Sequence, residues 1–169
     1  MHYVVQVRAG TEESIKAQCS KKIAPEIMER CYIPYYEKKR RYGGAWHMEQ
    51  RILFPGYVFI ISDALEELFI DLKSIIGLTK LIGTGRDIIP LTEQEVLFLE
   101  RLVNDDELVE LSQGIVQGGK TIVTSGPLKG LEGCIRRIDR HKRVAWIAIE
   151  MMGRVVETQV GLEILVKEG

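Results

Sequence analysis

The stretch Leu53-Phe54-Pro55-Gly56-Tyr57-Val58-Phe59-Ile60-Ile61 joins a turn signal to an apolar run, and it decides how the first part of the chain folds. Pro55 fixes φ and Gly56 supplies conformational freedom, so the sequence predicts a tight turn there, followed by a strand from Tyr57 to Ile61. Side chains alternate along a strand, so both of its faces carry apolar groups that need cover. One face can be covered by the protein's own helices. The face that carries Tyr57 and Phe59 is either a second core or a docking surface for a partner.

Strands and helices alternate on both sides of this stretch. Thr92 and Glu95 have the spacing of a capping box, in which each residue satisfies a free amide of the other at a helix start. Pro25 ends the helix that precedes the central strand. The predicted elements are a strand at 3–8, a helix at 11–23, a strand at 31–36, a helix at 64–75, a strand at 77–83 with a turn at 83–85, and a helix that begins after Thr92.

Charge divides the chain although its net charge is only −1. Residues 1–103 carry equal numbers of basic and acidic side chains, residues 104–113 carry acidic ones alone, and residues 114–169 carry an excess of basic ones. An acidic strip between an apolar helix and a glycine-rich segment is typical of a linker. We therefore predict domains at 1–103 and 114–169, joined by a linker at 104–113.

The last third of the chain shows short strands separated by turns and no sustained helical period. We predict five strands, at 122–124, 134–138, 143–151, 154–160 and 162–166. Five short strands are typical of a small barrel. Glycines and β-branched residues both disfavour a helix, so we expect a stable β structure here. The predicted fold class is therefore α+β, with a sheet flanked by helices in the first domain and a β-barrel in the second.

Two basic segments stand out from this nearly neutral chain. Residues 37–47 form a predicted hairpin or loop, which is either a solvated tip or a contact to nucleic acid, with Tyr42 or Trp46 as a stacking face. Residues 136–143 carry five permanent cations around one acid at a predicted turn, and like charges repel one another unless an anionic partner is present. This turn is either a solvated hairpin or a surface for RNA, which arginine recognises through its phosphates and base edges. The candidate RNA-binding residues are Lys38, Lys39, Arg40, Arg41, Lys129, Arg136, Arg137, Arg140, His141, Lys142 and Arg143.

Several other classes of protein fit the sequence poorly. The apolar runs are shorter than the roughly 20 residues that a membrane span needs, and no signal peptide is evident, so we expect a cytoplasmic protein without a membrane partner. Three widely spaced cysteines, Cys19, Cys31 and Cys134, suit neither a disulfide framework nor a metal site, so we expect reduced thiols. The three histidines lie far apart, and no motif for catalysis, metal or cofactor binding is present. We expect a protein that is not an enzyme and uses no cofactor.

The segment Phe54-Pro55-Gly56-Tyr57-Val58-Phe59 resembles the signature strand of the NusG family of transcription elongation factors. The resemblance extends to the opening strand Tyr3-Val4-Val5-Gln6-Val7. It also includes a glycine pattern at Gly126, Gly130 and Gly133 that is similar to a KOW motif. It implies an N-terminal NGN domain followed by an SH3-like KOW barrel. It also implies that Phe54, Pro55, Tyr57 and Phe59 form a patch that binds the clamp helices of bacterial RNA polymerase.

Within the family, ordinary members use the KOW barrel to bind a ribosomal protein or a termination factor, and some specialised members store it as a helical hairpin. The basic turn at 136–143 is most similar to the LoaP subfamily of antiterminators. This resemblance implies a monomeric processive antiterminator that binds polymerase through its first domain and nascent RNA, such as a leader hairpin, through a basic surface. The alternative is a bridging module whose barrel recruits a protein partner and no RNA.

Overall fold

The computed structural model describes residues 1–77 and 88–168. They form two compact units, one of Met1–Ile33 with Phe54–Val96 and the other of Pro34–Leu53 with Leu97–Gly169. The predicted division into 1–103, 104–113 and 114–169 stays a prediction. Segment 34–53 packs in the same unit as the C-terminal strands.

In chain order the elements of the described residues are β1 (His2–Gln6), α1 (Glu12–Lys22), β2 (Arg30–Tyr32), β3 (Tyr35–Tyr42), β4 (Ala45–Ile52), β5 (Tyr57–Ile61), α2 (Leu65–Leu72), β6 (Ile88–Pro90), α3 (Glu93–Leu102), β7 (Leu108–Val109), β8 (Ser112–Gln117), β9 (Lys120–Ser125), a 3-10 turn (Glu132–Cys134), β10 (Ile135–Asp139), β11 (Val144–Met151) and β12 (Arg154–Glu168). The α+β class is confirmed.

The first unit is built on a four-stranded antiparallel sheet in the order β2-β5-β1-β6. The predicted central strand is confirmed as β5, and Gly56 in the preceding turn has φ +89°. The buried side chains of α1 include Ile15 and Cys19, and those of α2 are Leu68 and Leu72, as the apolar spacing predicts. Apolar residues on successive helical turns therefore form the core of this unit with the sheet.

The predicted capping box is confirmed at the start of α3. The Thr92 amide donates to Glu95 Oε1 at 2.8 Å, and the Glu95 amide donates to Thr92 Oγ1 at 3.1 Å. Two amides that lack helical partners are thereby satisfied.

The strand predicted at 31–36 is wrong as a single element. Pro34 lacks an amide to continue a ladder, and the chain changes sheets at this point. β2 pairs with β5, whereas β3 pairs with β4 and β7. The short strand β6, which pairs with β1, was not predicted. Beyond Gly77, the strand predicted at 77–83 and the turn at 83–85 lie outside the described residues.

A β-hairpin formed by β3 and β4 confirms the prediction for residues 37–47. The strands pair in an unbroken antiparallel register from Tyr35 opposite Ile52 to Tyr42 opposite Ala45. Gly43 and Gly44 between them have φ of +60° and +79°. Positive φ at both central residues marks a two-residue turn whose twist matches the strands, and glycine adopts it without strain.

The second unit also contains a five-stranded sheet in the order β10-β11-β12-β8-β9. The predicted C-terminal β structure is confirmed, but strand β8 begins before the predicted opening of this domain. The barrel predicted from five short strands is not confirmed, because the ladders of the described residues include none between β9 and β10.

The predicted linker at 104–113 contains ordered structure. Asn104 Oδ1 accepts hydrogen bonds from the amides of Asp106 and Leu108, at 2.9 and 3.1 Å. This turn leads into β7, which pairs with β3 in parallel, and β8 begins at Ser112. Hydrogen bonds to an asparagine side chain therefore organise a turn within the predicted linker.

The strands predicted at 154–160 and 162–166 are one continuous strand, β12. Gly161 was interpreted as a break between them, but it lies inside the ladder with β11. A Cβ at this position would lie 2.1 Å from the Glu37 carbonyl oxygen and 2.8 Å from Leu111 Cδ1. Gly161 therefore allows β12 to pass close to the backbone of β3.

We expect Gly161→Ala to destabilise the second unit by about 1 to 3 kcal/mol, because the backbone of β3 must move to admit the methyl group. Both tryptophans, Trp46 and Trp146, lie in this unit, so urea unfolding followed by tryptophan fluorescence measures the effect. Gly133→Ala is the matched control, since a Cβ there meets nothing within 4 Å. Equal unfolding midpoints for the two variants would contradict the close approach.

Candidate nucleic-acid interface

The pairing of β3 with β4 determines on which face of the hairpin each basic side chain lies. Opposite residues of an antiparallel pair share a face, and residues two apart on one strand do so as well. Lys39, Arg41 and Trp46 therefore lie on one face of the hairpin, and Lys38 and Arg40 lie on the other.

The two basic segments line one cleft within the second unit. Its volume is about 670 Å³. Cations of β3 form part of it, and the turn between β10 and β11 forms another part. Its lining residues are Lys38, Lys39, Arg40, Arg41, Trp46, His141, Lys142, Arg143 and Gln159. Six of these side chains are permanent cations and none is a carboxylate, so the cleft attracts anions.

One carboxylate joins the two cationic segments. Glu163 Oε1 lies 2.9 Å from Lys39 Nζ, and Glu163 Oε2 lies 3.3 Å from Arg143 Nε. Gln113 Nε2 donates to the same carboxylate at 3.2 Å. The Glu163 side chain is only 13% exposed, and its two cationic partners are 31% and 27% exposed. Glu163 therefore holds a cation of β3 and a cation of the β10–β11 turn at fixed positions.

The pKa of Glu163 reflects these contacts. Burial is the largest single influence and raises the pKa, but hydrogen bonds from Lys39, Gln113 and Arg143, with the charge of Lys39, together lower it below its ordinary value. The carboxylate is therefore ionised at neutral pH and offsets part of the positive charge around the cleft.

Arg143 and Trp46 form the closest cation–aromatic contact across the cleft. The guanidinium carbon of Arg143 lies 3.8 Å from the centroid of the Trp46 ring, and that of Arg41 lies 5.8 Å from it. Arg143 also has a φ of +55°, which non-glycine residues rarely adopt. The stacking and the Glu163 contact accompany this unusual backbone and fix the direction of the arginine.

The turn before Arg143 is closed by a side chain. The Lys142 amide donates to Asp139 Oδ1 at 2.9 Å, and this hydrogen bond is the largest of the influences that lower the pKa of Asp139. Asp139 is thus a structural acid within the basic cluster, and it positions the cations that follow.

Four of the predicted RNA-binding residues do not line the cleft. Arg136 Nη1 donates to the Gly133 carbonyl at 2.9 Å, and Arg137 lies over the Trp146 ring at 5.0 Å. Arg140 and Lys129 are exposed outside it. The structure therefore separates the predicted set into seven residues that line one cleft and these four.

Glu163 and Gln159 were not predicted as site residues. A single acid in a β-rich segment carries no motif, and its role depends on Lys39, 124 residues earlier. Gln159 Oε1 accepts a hydrogen bond from the hydroxyl of Tyr36 at 3.1 Å, and burial raises the pKa of that tyrosine. The one available signal in the sequence was alternation along β12. Gln159 lies two residues before Gly161 and Glu163 lies two after it, so all three lie on the same face of the strand.

The predicted polymerase-binding residues lie in the first unit and differ in accessibility. Pro55 is exposed and Tyr57 is half-buried, whereas Phe54 and Phe59 are buried. The Phe59 ring centroid lies 5.4 Å from that of Tyr32 and 5.6 Å from that of Phe54. Phe54 and Phe59 therefore belong to the core, and Pro55 and Tyr57 are the members that a partner can reach.

A buried carboxylate fixes the turn that carries these residues. Glu12 is 2% exposed, and it accepts hydrogen bonds from the Gly10 amide at 2.7 Å and from the Gly56 amide at 2.8 Å. The start of α1 is thereby tied to the turn before Tyr57. No local motif indicates this contact, because Glu12 and Gly56 lie 44 positions apart in the sequence.

Among residues 1–77 and 88–168, no group of three or more His, Cys, Asp or Glu side chains could hold a metal ion. In the same part of the chain, no helix has the length and apolar character to cross a membrane.

We expect Glu163→Gln to destabilise the second unit by about 1 to 3 kcal/mol at pH 7, because the amide pairs poorly with two cationic donors. The folded-state pKa of Glu163 lies below the unfolded value of about 4.3, so its ionic contribution is complete above that pH and is lost as the pH falls further. The difference from wild type in urea unfolding should therefore narrow below about pH 4. Glu157→Gln, at an exposed position of the same strand, is the control. A difference that stays constant down to pH 3 would rule out the charge as its cause.

This chain is similar to one protein family and to several known proteins. The family model described as "Transcription termination factor nusG" matches residues 1–100. The transcription termination/antitermination protein NusG of Thermus thermophilus is 28% identical over 174 residues, which cover 95% of this chain and 94% of that protein. The protein of the same name from Bacillus subtilis is 27% identical, over 95% of this chain and 93% of its own.

Among solved structures, one described as "Domain interaction in Thermotoga maritima NusG" covers 96% of this chain and 93% of its own, with a TM-score of 0.51 and 24% identity. This likeness supports the fold alone. The family model matches more than half of the chain, and the chain therefore belongs to the NusG family of transcription termination and antitermination proteins.

Proposed function

We propose that this protein is a transcription elongation factor that acts as a processive antiterminator of the LoaP kind. Its first unit binds RNA polymerase, and the basic cleft of its second unit binds nascent RNA. It acts as a monomer in the cytoplasm by binding and not by catalysis, and strands β8 to β12 form the small SH3-like barrel of the family.

The convergence of the two basic segments carries the RNA part of this proposal. Residues 38–41 and 141–143 are about a hundred positions apart in the sequence and line the same cleft. Solvated loop tips have no reason to meet, since six like charges that share a cleft repel one another. A phosphate backbone removes this repulsion and releases counterions when it binds. Two carboxylates contact the six lining cations, Glu163 at Lys39 and Arg143 and Glu49 at Arg40, so the lining keeps a positive excess.

The polymerase part is supported by the family and by the accessibility of Pro55 and Tyr57. A flat aromatic side chain beside an exposed proline provides apolar contact area with little conformational entropy to lose. Phe54 and Phe59 lie beneath them in the core, so they support the surface and do not themselves contact the clamp helices.

We expect Tyr57→Ala to weaken binding to purified bacterial RNA polymerase by about tenfold or more, because a half-buried aromatic residue is removed from the centre of the contact. Ile61→Ala is the matched control, since Ile61 is half-buried on the same face of β5 and lies outside the patch. Unfolding curves of both variants show whether stability changes equally. Unchanged polymerase affinity of the Tyr57 variant would contradict this surface.

The RNA part is tested by read-through of an intrinsic terminator by purified bacterial RNA polymerase. The templates carry or lack upstream leader sequence from beside the gene of this protein. We expect increased read-through only with the leader. We expect the increase to be lost in a variant with Lys38, Arg41 and Lys142 changed to alanine, because three phosphate contacts are removed. This variant leaves both partners of Glu163 in place.

Arg136, Arg137 and Arg140, changed together to alanine, form a control that removes the same charge outside the cleft. For single-stranded RNA, the cleft variant should also reduce the slope of log affinity against log salt by about 2. Equal loss of read-through in both variants would mean that the cleft is not the main RNA surface. No change in either variant, together with capture of a protein and no RNA, would favour the protein-bridging function.

A further inference from the structure

Trp46 lines the cleft, and the proposed phosphate contacts do not use its indole ring. It lies on β4 opposite Arg41 and is 46% exposed. An indole is a large apolar surface to leave partly in water. Its position among cations that bind phosphates indicates a use for its ring.

The ring is held in place on one side. Arg143 lies 3.8 Å from the ring centroid, and Glu163 in turn contacts Arg143 Nε at 3.3 Å. Arg41 lies farther from the same ring, at 5.8 Å, and 46% of the Trp46 surface stays exposed. A partly exposed aromatic ring beside cations is a stacking platform for a nucleobase.

Tyr42, at the end of β3, does not offer such a platform. The Tyr42 ring stacks on His47 with the centroids 3.7 Å apart and the planes 13° from parallel. Tyr42 also lies on the opposite face of the hairpin from Trp46 and does not line the cleft. The base-stacking position is therefore at Trp46.

A platform of this kind distinguishes unpaired RNA from duplex RNA. Bases of a duplex stack on their neighbours, and the deep major groove of A-form RNA keeps side chains from their faces. The cleft volume of about 670 Å³ is within the range of small-ligand sites, so a single nucleotide can enter it.

Resting on the proposed role of the cleft in RNA binding, we infer that it recognises an unpaired segment of RNA, with one base stacked on Trp46 and the flanking phosphates bound by Lys38, Arg41 and Lys142. The chemical class of the ligand is thus a single strand or a loop. Glu163 acts as a positioning residue that holds Arg143 against the platform.

The test measures binding of the full chain to two RNA probes by fluorescence anisotropy. One probe is an unstructured single strand of about ten nucleotides, and the other is a blunt duplex that contains the same strand. We expect Trp46→Ala to weaken binding to the single strand by about tenfold and to leave binding to the duplex nearly unchanged. The salt dependence should stay as in wild type, because no phosphate contact is lost, and Trp46→Phe should restore part of the affinity.

Met48→Ala is the matched control, since Met48 lies two residues along the same face of β4, is 52% exposed and does not line the cleft. A second measurement does not depend on truncating the platform. In a Trp146→Phe variant the remaining tryptophan is Trp46, and its fluorescence should be quenched in a saturable way by the single strand and not by the duplex.

The outcomes separate this inference from the proposed function. Equal loss of affinity for both probes in Trp46→Ala, or loss for neither, would overturn the stacking inference. Quenching by both probes alike would do so as well. In that case the variant with Lys38, Arg41 and Lys142 changed to alanine is decisive for the proposed function. If it loses affinity for both probes, the cleft still binds RNA, but no base stacks on Trp46. If neither variant changes the affinity for RNA, both proposals fail.

Discussion

The carboxylate of Glu163 is the contact on which the second unit depends. A mostly buried charge is costly unless it is paired and hydrogen-bonded, and Glu163 meets this requirement with Lys39 from β3, Arg143 from the β10–β11 turn and Gln113 from β8. Two residues earlier on β12, the missing side chain of Gly161 admits the carbonyl of Glu37. The same stretch of strand therefore fixes the hairpin through a close backbone approach and through an ion pair. Together with the stacking of Arg143 on Trp46, they keep the cations of the two segments close to one another.

The cations that line the cleft repel one another when no anion is bound. Glu163 and Glu49 offset two of the six positive charges that line it, and two backbone turns hold the segments that carry the cations. The Gly43-Gly44 turn fixes the end of the hairpin, and the hydrogen bond from Lys142 to Asp139 fixes the second segment. Sites that hold charge in advance bind polyanions without first ordering their own side chains, which lowers the entropic cost of association. The rigidity of the fold and the affinity of the site are therefore two results of the same contacts.

The sequence predicts those features that a few neighbouring residues determine. The turn at Pro55 and Gly56, the capping box of Thr92 and Glu95, and the β3–β4 hairpin are local, and each is confirmed. Gly161 was misinterpreted because a glycine in a strand has the same appearance whether it ends the strand or admits another backbone. The roles of Phe54 and Phe59 stayed open because the alternation of side chains shows that both faces of the strand are apolar. It does not show which face packs in the core and which could bind a partner. The meeting of Lys39 with Glu163 depends on a contact across 124 positions, which no local pattern encodes.

Each unit uses a carboxylate to fix its candidate binding surface, but the partners of the two carboxylates differ. Glu12 is 2% exposed and accepts hydrogen bonds from two backbone amides, so its hold on the turn before Tyr57 involves no opposite charge. Glu163 is held partly by Lys39, whose side chain is 31% exposed and therefore open to screening by salt. Rising ionic strength weakens RNA binding by the cleft in two ways. It screens the phosphates of the ligand, and it weakens the ion pair between Lys39 and Glu163 that positions the cations. It leaves the turn at Pro55 and Gly56 intact. Salt therefore weakens binding at the charged surface and not at the apolar one. The contributions of the two candidate surfaces to binding can thus be distinguished by changing the salt concentration, before any residue is changed.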